Sequence, residues 1–455
     1  MTRAFSAERM YLSAAVCAGF ALRLVVVLKT PCIEMDGIGY ATIADQFGRG
    51  LFREGLNNVF SPMYPIFVSL LHFATPDVEL AGRLVSLFFG VLLIWISFLF
   101  ARRLFNDGGK AVWAAVLVAF HPYLVRYSGQ VLSESLAAFL FALTVFSFYV
   151  GWQERRRAAL ALSGFCLVLT YLTRPEYLVF YAPFVFLLLR RRRMADCAVL
   201  LLPFLLLGAL YISYLHGQTG AWMVSKRVTL SPFVALSAFF VNIPFVAYYL
   251  MVAVFPMFFL LAILGLPKVP GAYRTLVPVL AVFHILSLAF ISHSTKRYSV
   301  EFVPLFMILA AAGVYATRDY FGRVFPVRAV SWVLAAAVVF MGALEPFAPL
   351  HYERGLQKQA GLFLLTHDPG SAVAARLPLA AFYEKGTSID LLSEMSADRS
   401  IARFNKVLAD KRVRYLVVDE ELEKEMPFLG ECLSQRAPVY ALAHGGAFVR
   451  VYKVS

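Results

Sequence analysis

Charge is scarce in this chain. Asp, Glu, Lys and Arg make up 15% of its 455 residues, hydrophobic residues make up 60%, and mean hydropathy is +0.71. A soluble domain carries about 25% charge, so a water-soluble globule is excluded and a polytopic α-helical membrane protein is expected. Cysteine is scarce too. Cys17, Cys32, Cys166, Cys197 and Cys432 lack the paired spacing of metal ligands, and nothing reads as a zinc module. A Cys32–Cys432 disulfide would need both thiols facing an oxidising compartment and within bridging reach. There is no glycine-rich nucleotide fingerprint, no evident internal repeat and no low-complexity tract. The missing fingerprint argues against a nucleotide cofactor, and the missing repeat against a transporter built from inverted halves.

The charge that is present has a pattern. The net charge of +14 would suit nucleic acid, but much of the Lys and Arg clusters at the ends of apolar runs, which is a topology signal. Apolar runs able to cross about 30 Å of hydrocarbon fall near residues 10–28, 80–101, 111–128, 132–152, 158–173, 177–189, 196–215, 244–265, 275–292, 299–317 and 328–346. That predicts roughly eleven helices. Arg3 and Arg9 precede the first run, but it is longer than a signal h-region, contains Arg23 and lacks an A-x-A site, so an uncleaved span is expected. The stretch 61–74 is too short to span and is expected in the interface.

With the N-terminus inside, the inner loops hold seventeen Lys and Arg in about 54 positions, against nine in about 96 outside. The positive-inside rule then fixes a cytoplasmic N-terminus. An odd number of spans puts the C-terminal segment outside, in what reads as a bacterial inner-membrane protein. This divides the chain into a transmembrane domain, 1–348, with a first extracytoplasmic loop at 29–79, and a small extracytoplasmic α/β domain, 349–455. In the latter, 371–377, 414–419 and 447–454 read as strands and 403–411 as an amphipathic helix.

Given that orientation, polar residues collect at the outer boundary. The first loop carries Glu34 and Asp36. Arg23, Arg83, Arg126, Glu134, Arg174, Glu176, Lys226, Arg227, Lys296, Arg297 and Glu301 all fall near outer ends of runs. Acidic and basic groups at a membrane boundary are costly unless they have work to do. Plainer roles are open to each. Arg23 and Arg83 can snorkel to headgroups, and Glu134 with Arg126 can form a structural pair. Arg174-Pro175-Glu176 can be a helix break, and Glu34 or Asp36 can cap the helix that follows. His121, before Pro122, and His284, alone in a span, read as core histidines.

Several of these residues sit in motifs. Asp36-Gly-Ile-Gly-Tyr40-Ala-Thr-Ile-Ala resembles the D-x-x-x-Y-A-x-x-A pattern after the first helix of GT-C glycosyltransferases, in particular the protein O-mannosyltransferase and aminoarabinose-transferase superfamily. Phe60-Ser-Pro-Met-Tyr-Pro-Ile, Arg83-Leu-Val-Ser-Leu-Phe-Phe-Gly90, His121-Pro-Tyr-Leu, Ser133-Glu134-Ser135, Thr173-Arg-Pro-Glu176 and Arg297-Tyr-Ser-Val-Glu-Phe-Val-Pro304 resemble later signatures, in the family's order, over residues 10 to 320. The resemblance implies a GT-C fold and inverting transfer of a sugar, hexose or pentose, from a polyprenyl-phosphate donor. The acceptor would be a protein, glycolipid or polysaccharide at the extracytoplasmic face, and membrane lipids the surroundings. It makes Asp36 the catalytic carboxylate. Many members carry a second acid directly after it; here that position is Gly37, and the spare carboxylate is Glu34. A divalent cation is therefore left open, with no metal ligand assigned.

The chemistry suits these residue types. A positioned carboxylate takes the proton of a weakly nucleophilic acceptor hydroxyl. Cations stabilise the charge that grows on a departing lipid phosphate. Asp36, with Glu34 beside it, is the expected base, and Arg297, Lys296, Arg174 and Arg83 the expected phosphate ligands. Tyr40, Glu134, Glu176 and Tyr298 would orient them or the sugar. The alternatives are a membrane transporter and a non-catalytic membrane assembly subunit.

Overall fold

A computed structural model describes residues 2–57, 59–225, 232–290, 295–344 and 352–454. Lys226 and Arg227 lie outside the described residues. The chain forms two compact units, Met1–Lys29 with Gly39–Ala348, and Thr30–Ile38 with Pro349–Ser455.

The first unit is helical. Among the described residues, seven helices are long and apolar enough to cross a membrane, and the bent pair Ala238–Val254 and Pro256–Lys268 makes an eighth. The three remaining apolar stretches are short or interrupted. Gly108–Ala119 gives way at His121 to a new helix opened by Pro122, Arg157–Thr173 has 17 residues, and 175–190 begins as the 3-10 helix Pro175–Phe180. In each case proline withholds a donor and resets the helix. The stretch 61–74, too short to span, contains the short helix Met63–His72.

Two of the long helices bury few of their residues inside the protein, 17% of an 18-residue apolar stretch in Met194–Thr219 and 11% in Val327–Leu344. They expose Leu205, Leu206, Leu210, Trp332, Val333 and Phe340. Apolar faces of that extent need hydrocarbon around them, and helices satisfy their own backbone there. The chain is a multi-pass membrane protein.

Packing between spans uses small residues and buried polar staples. Gly265, at the end of helix Pro256–Gly265, and Gly313, in Val303–Phe321, each lie against the other helix so closely that a Cβ on Gly265 would overlap the Leu309 carbonyl, and one on Gly313 the Leu261 carbonyl. Such contacts replace the hydrophobic drive that lipid cannot supply. Arg23 is fully buried rather than at the headgroups. It donates to the carbonyls of Gly19, Val118 and Ala119 at 3.0, 3.1 and 2.8 Å and to Ser128 Oγ at 3.2 Å, tying helix Thr2–Lys29 to the break before His121. His121 bonds the Val254 carbonyl at 3.1 Å and His284 bonds Ser299 Oγ at 2.9 Å, both buried.

In the second unit, strands β1 (Ala372–Ala375), β2 (Thr387–Asp390), β3 (Tyr415–Asp419), β4 (Tyr440–His444) and β5 (Ala447–Lys453) form one sheet in the order β2-β1-β3-β5-β4. β1 is parallel to β2 and β3, while β5 runs antiparallel to β3 and β4. Alternation along the strands sorts residues to two faces. Val373, Ala375, Tyr415, Val417, Val449 and Val451 pack with Leu356, Ala360 and Leu364 of helix Tyr352–His367. Ala374, Leu416, Val418 and Tyr452 pack with Phe404 and Val407 of helix Ile401–Asp410. β3 is buried on both faces, which is why it reads as an unbroken apolar run. Gly445 and Gly446, at φ +60° and +89°, close the β4–β5 hairpin, a turn that calls for positive φ at both positions. All five cysteines are free thiols.

Candidate active site

The motifs that are far apart in sequence converge at one end of the helical unit. Tyr40, from helix Met35–Gly48, shares a 3.1 Å hydrogen bond with Ser133 Oγ. Its ring lies 4.9 Å from Phe60 and 5.2 Å from Tyr64. Tyr64 in turn donates to the Gly82 carbonyl at 2.8 Å, and Ser86 donates to the Leu132 carbonyl at 3.1 Å. Four of the sequence motifs are thereby fixed to one another. Burial, and then the neighbouring Glu134 carboxylate, push the Tyr40 phenol up to about 12, so it serves as a neutral hydroxyl.

Next to Ser133 stands Glu134, fully buried at the start of helix Glu134–Glu154. It is held by two guanidiniums. Arg297 Nε donates to Glu134 Oε1, and Arg174 Nη1 approaches the same oxygen at 3.3 Å. Arg174 is itself buried and central. Its Nε donates to Glu176 Oε1 at 2.8 Å and lies 3.1 Å from Glu301 Oε1. Its guanidinium sits 5.0 Å from the Tyr298 ring centroid, within cation–π range. Tyr177 donates to Glu301 Oε2 at 3.0 Å.

Local structure explains the placement. Arg174 has extended backbone between helix Arg157–Thr173 and Pro175–Phe180; the proline stops one helix and starts the next, turning Arg174 inward. The helix break and the functional position are therefore one feature. Lys296, Arg297, Tyr298 and Glu301 all come from the 3-10 helix Lys296–Phe302, whose threefold repeat puts Tyr298 and Glu301 on one face.

Two guanidiniums thus face three carboxylates. Two of their oxygens, Glu134 Oε2 and Glu301 Oε1, are buried with no hydrogen-bond partner among the described residues, and only the second has a cation close by, Arg174 Nε at 3.1 Å. A buried acceptor left in that state is costly, and a substrate hydroxyl would satisfy it. Arg297 is the more open of the two cations, its side chain 28% exposed against 8% for Arg174. Lys296 donates to Tyr123 Oη at 3.0 Å and lies over that ring.

The other expected residues have different partners. Arg83 is buried, pairs with Glu79 one turn back and donates to the Val27 carbonyl at 2.8 Å; it staples helices. Glu34 and Asp36 belong to the second unit. Asp36 is half-buried in the first turn of helix Met35–Gly48, and Glu34 is ion-paired with Arg354 at 2.7 Å. Among the described residues no group of three His, Cys, Asp or Glu side chains is placed to hold a metal ion. Tyr177, Ser133 and Arg354 were not anticipated as site residues. The signal for Tyr177 was its place directly after Arg174-Pro-Glu176, and for Ser133 its place before Glu134; Arg354 carried none.

Comparison with known proteins bears on the fold. Residues 60–216 match the family model described as dolichyl-phosphate-mannose-protein mannosyltransferase. No curated protein sequence matches the chain. Among solved structures, ArnT from Cupriavidus metallidurans bound to undecaprenyl phosphate superposes with a TM-score of 0.64 at 13% identity, covering 97% of both chains. Its apo state gives 0.64 at 14%, covering 99% of this chain and 98% of that one. The archaeal oligosaccharyltransferase AglB from Archaeoglobus fulgidus, in complex with an inhibitory peptide and a dolichol-phosphate, gives 0.57 at 14%, covering 97% of this chain and 74% of AglB.

Proposed function

We propose, from the GT-C fold that this chain shares with ArnT and AglB, that it is a glycosyltransferase moving a sugar from a polyprenyl-phosphate donor to an acceptor, with inversion. The observation that carries the reading is the full-length likeness to a structure that holds undecaprenyl phosphate, joined to the buried Glu134–Arg174–Arg297 cluster built from the same motifs. In this reading Asp36 takes the proton of the acceptor hydroxyl as that oxygen attacks the anomeric carbon. The bond from that carbon to the lipid phosphate breaks on the opposite face, and the polyprenyl phosphate leaves with the electron pair. Arg297, with Lys296 beside it, meets the phosphate charge. Glu134 holds Arg297 in place and offers Oε2 to a sugar hydroxyl. Arg174, saturated by carboxylates, keeps the cluster assembled. The reaction face is extracytoplasmic, with the N-terminus in the cytoplasm of a bacterial inner membrane and the C-terminal domain outside.

Two measurements test this. The lipid that co-purifies with the chain, read by mass spectrometry, is expected to be a polyprenyl phosphate. Asp36→Asn is expected to lower release of polyprenyl phosphate from the membrane-extracted donor by 10²–10⁴-fold, the usual contribution of a general base, while the protein still folds. A variant keeping more than about a tenth of the wild-type rate rules out Asp36 as the base.

A further inference from the structure

The segment just before Asp36 is not a free loop of the helical unit. Residues Thr30–Ile38 cluster with the C-terminal domain, from which they are separated by more than 300 positions in sequence. Side chains of that domain hold them there. Tyr383 Oη accepts from the Ile33 backbone N–H at 2.8 Å, and Arg354 Nη1 donates to Glu34 Oε2 at 2.7 Å. Ile33 is 1% exposed, so its backbone bond is made away from water, where losing it costs most.

The scaffold behind these contacts is rigid. Arg354 lies in helix Tyr352–His367 and Tyr383 in helix Leu379–Glu384. The two helices pack so closely that a Cβ on Gly361 would overlap the Ala380 carbonyl. Lys358, one turn after Arg354, sits 4.7 Å from the Tyr383 ring centroid and ties the two anchors together. Helix Leu379–Glu384 follows β1 directly through Arg376, which donates to Asp419 at the end of β3, so the anchors are referenced to the sheet.

Glu34 also starts the turn that contains Asp36. Its carbonyl accepts from Ile38 N at 3.1 Å, closing the first turn of helix Met35–Gly48. The residue that opens this turn is therefore fixed at its side chain by Arg354, and its neighbour is fixed at the backbone by Tyr383. We infer that Arg354, Tyr383 and Glu34 are positioning residues that set where the Asp36 carboxylate stands within the second unit. Glu34, expected from sequence to share the chemistry, then acts through Asp36. This rests on Asp36 being the base. A displacement of about 1 Å in a reacting group costs on the order of 100-fold in rate, so a small loss of anchoring is enough to be seen.

The test uses the full chain in membranes, with release of undecaprenyl phosphate from the membrane-extracted lipid-linked donor as the rate, and amide exchange of residues 30–38 as an independent readout. Arg354→Glu and Glu34→Arg are each expected to lower kcat at least tenfold with KM for the donor within about twofold, and to speed exchange in 30–38. The double exchange E34R/R354E, which restores the pair with reversed sign, is expected to recover most of both losses; a merely destabilising role would not give that rescue. Tyr383→Phe, which keeps the ring and removes the acceptor, should lower kcat and speed exchange in 30–38 while the protein still folds, and covers the case in which the charge variants do not fold. The inference is overturned if kcat of Arg354→Glu and Tyr383→Phe stays within twofold of wild type, or if the double exchange gives no recovery. Asp36→Asn run in parallel separates the two readings. An inactive Asp36→Asn beside an active Arg354→Glu sinks the positioning role alone, whereas an active Asp36→Asn sinks both.

Discussion

Arg174, expected from sequence at the donor phosphate, stands in a network of carboxylates. Three carboxylates, Glu134, Glu176 and Glu301, lie within 3.3 Å of its guanidinium, and the first and last of these are fully buried. Removing one member of a buried ionic network leaves the others uncompensated, at a cost of about 3–5 kcal/mol. Arg174→Ala is therefore expected to lower the thermal unfolding midpoint in detergent sharply, and Arg174→Lys to recover only part, because one ammonium cannot serve three directions of a planar fork. A variant as stable as wild type would show that the cluster is not a structural unit. Arg297 should behave differently. It is anchored at one end and partly exposed, so Arg297→Lys should leave stability nearly intact while weakening donor-lipid binding by about 1–3 kcal/mol, the worth of a charge-assisted bond. If both Arg297→Lys and Arg297→Ala bind the donor as wild type does, the phosphate is held elsewhere.

At the scale of elements, the apolar runs were legible because hydrophobic length is set by the bilayer, and each of the eleven expected stretches corresponds to a helix or helix pair. What the sequence hid was continuity. Pro122, Pro175 and Pro256 each begin a new helix inside or beside an apolar run, and hydropathy averaged over a window cannot see a bend such as the 93° between Ala238–Val254 and Pro256–Lys268. In the C-terminal domain β1, β3 and β5 were readable from alternation or unbroken burial. β2 and β4 were not, because they are the edge strands and each leaves most of its residues only partly buried or exposed. The membership of Thr30–Ile38 was also invisible, since no local pattern reports a partner more than 300 residues away. Gly265 and Gly313 belong to the same scale. Each is a packing residue whose added Cβ would meet backbone of the other helix rather than a movable side chain. Gly313→Leu is expected to cost about 1–3 kcal/mol or more through overpacking, read as a lowered unfolding midpoint in detergent, with Gly271→Ala, at the exposed start of helix Gly271–Ala289 where an added Cβ meets nothing within 4 Å, as the milder comparison. Equal midpoints for the two would remove the close-packing argument.

The helical unit as a whole is electrostatically two-ended. Helix Glu134–Glu154 spans 21 residues, about 30 Å at 1.5 Å per residue. At its first residue stands the cluster of Glu134, Arg174 and Arg297. At its last, Glu154 pairs with Arg103 and Arg156. Arg191 and Arg193 donate to the Trp152 carbonyl at 3.2 and 2.8 Å, and Arg157 and Arg193 pair with Asp196. Arg102, next to Arg103, pairs with Glu8. Four of the basic loops counted along the sequence as one side of the membrane are thus gathered at one end in space, opposite the site. That convergence is independent of hydropathy, and it makes the topology a single question. In a cysteine-free background, thiols introduced at Arg102, Arg156 and Arg192 are expected to resist a membrane-impermeant reagent applied to intact cells and to react once the membrane is opened. A thiol introduced at Arg53, in the first loop, should react in both conditions. Labelling of the Arg156 position from outside would invert the molecule and place the Glu134 cluster on the cytoplasmic face. A lipid-linked donor presented outside would then be out of its reach.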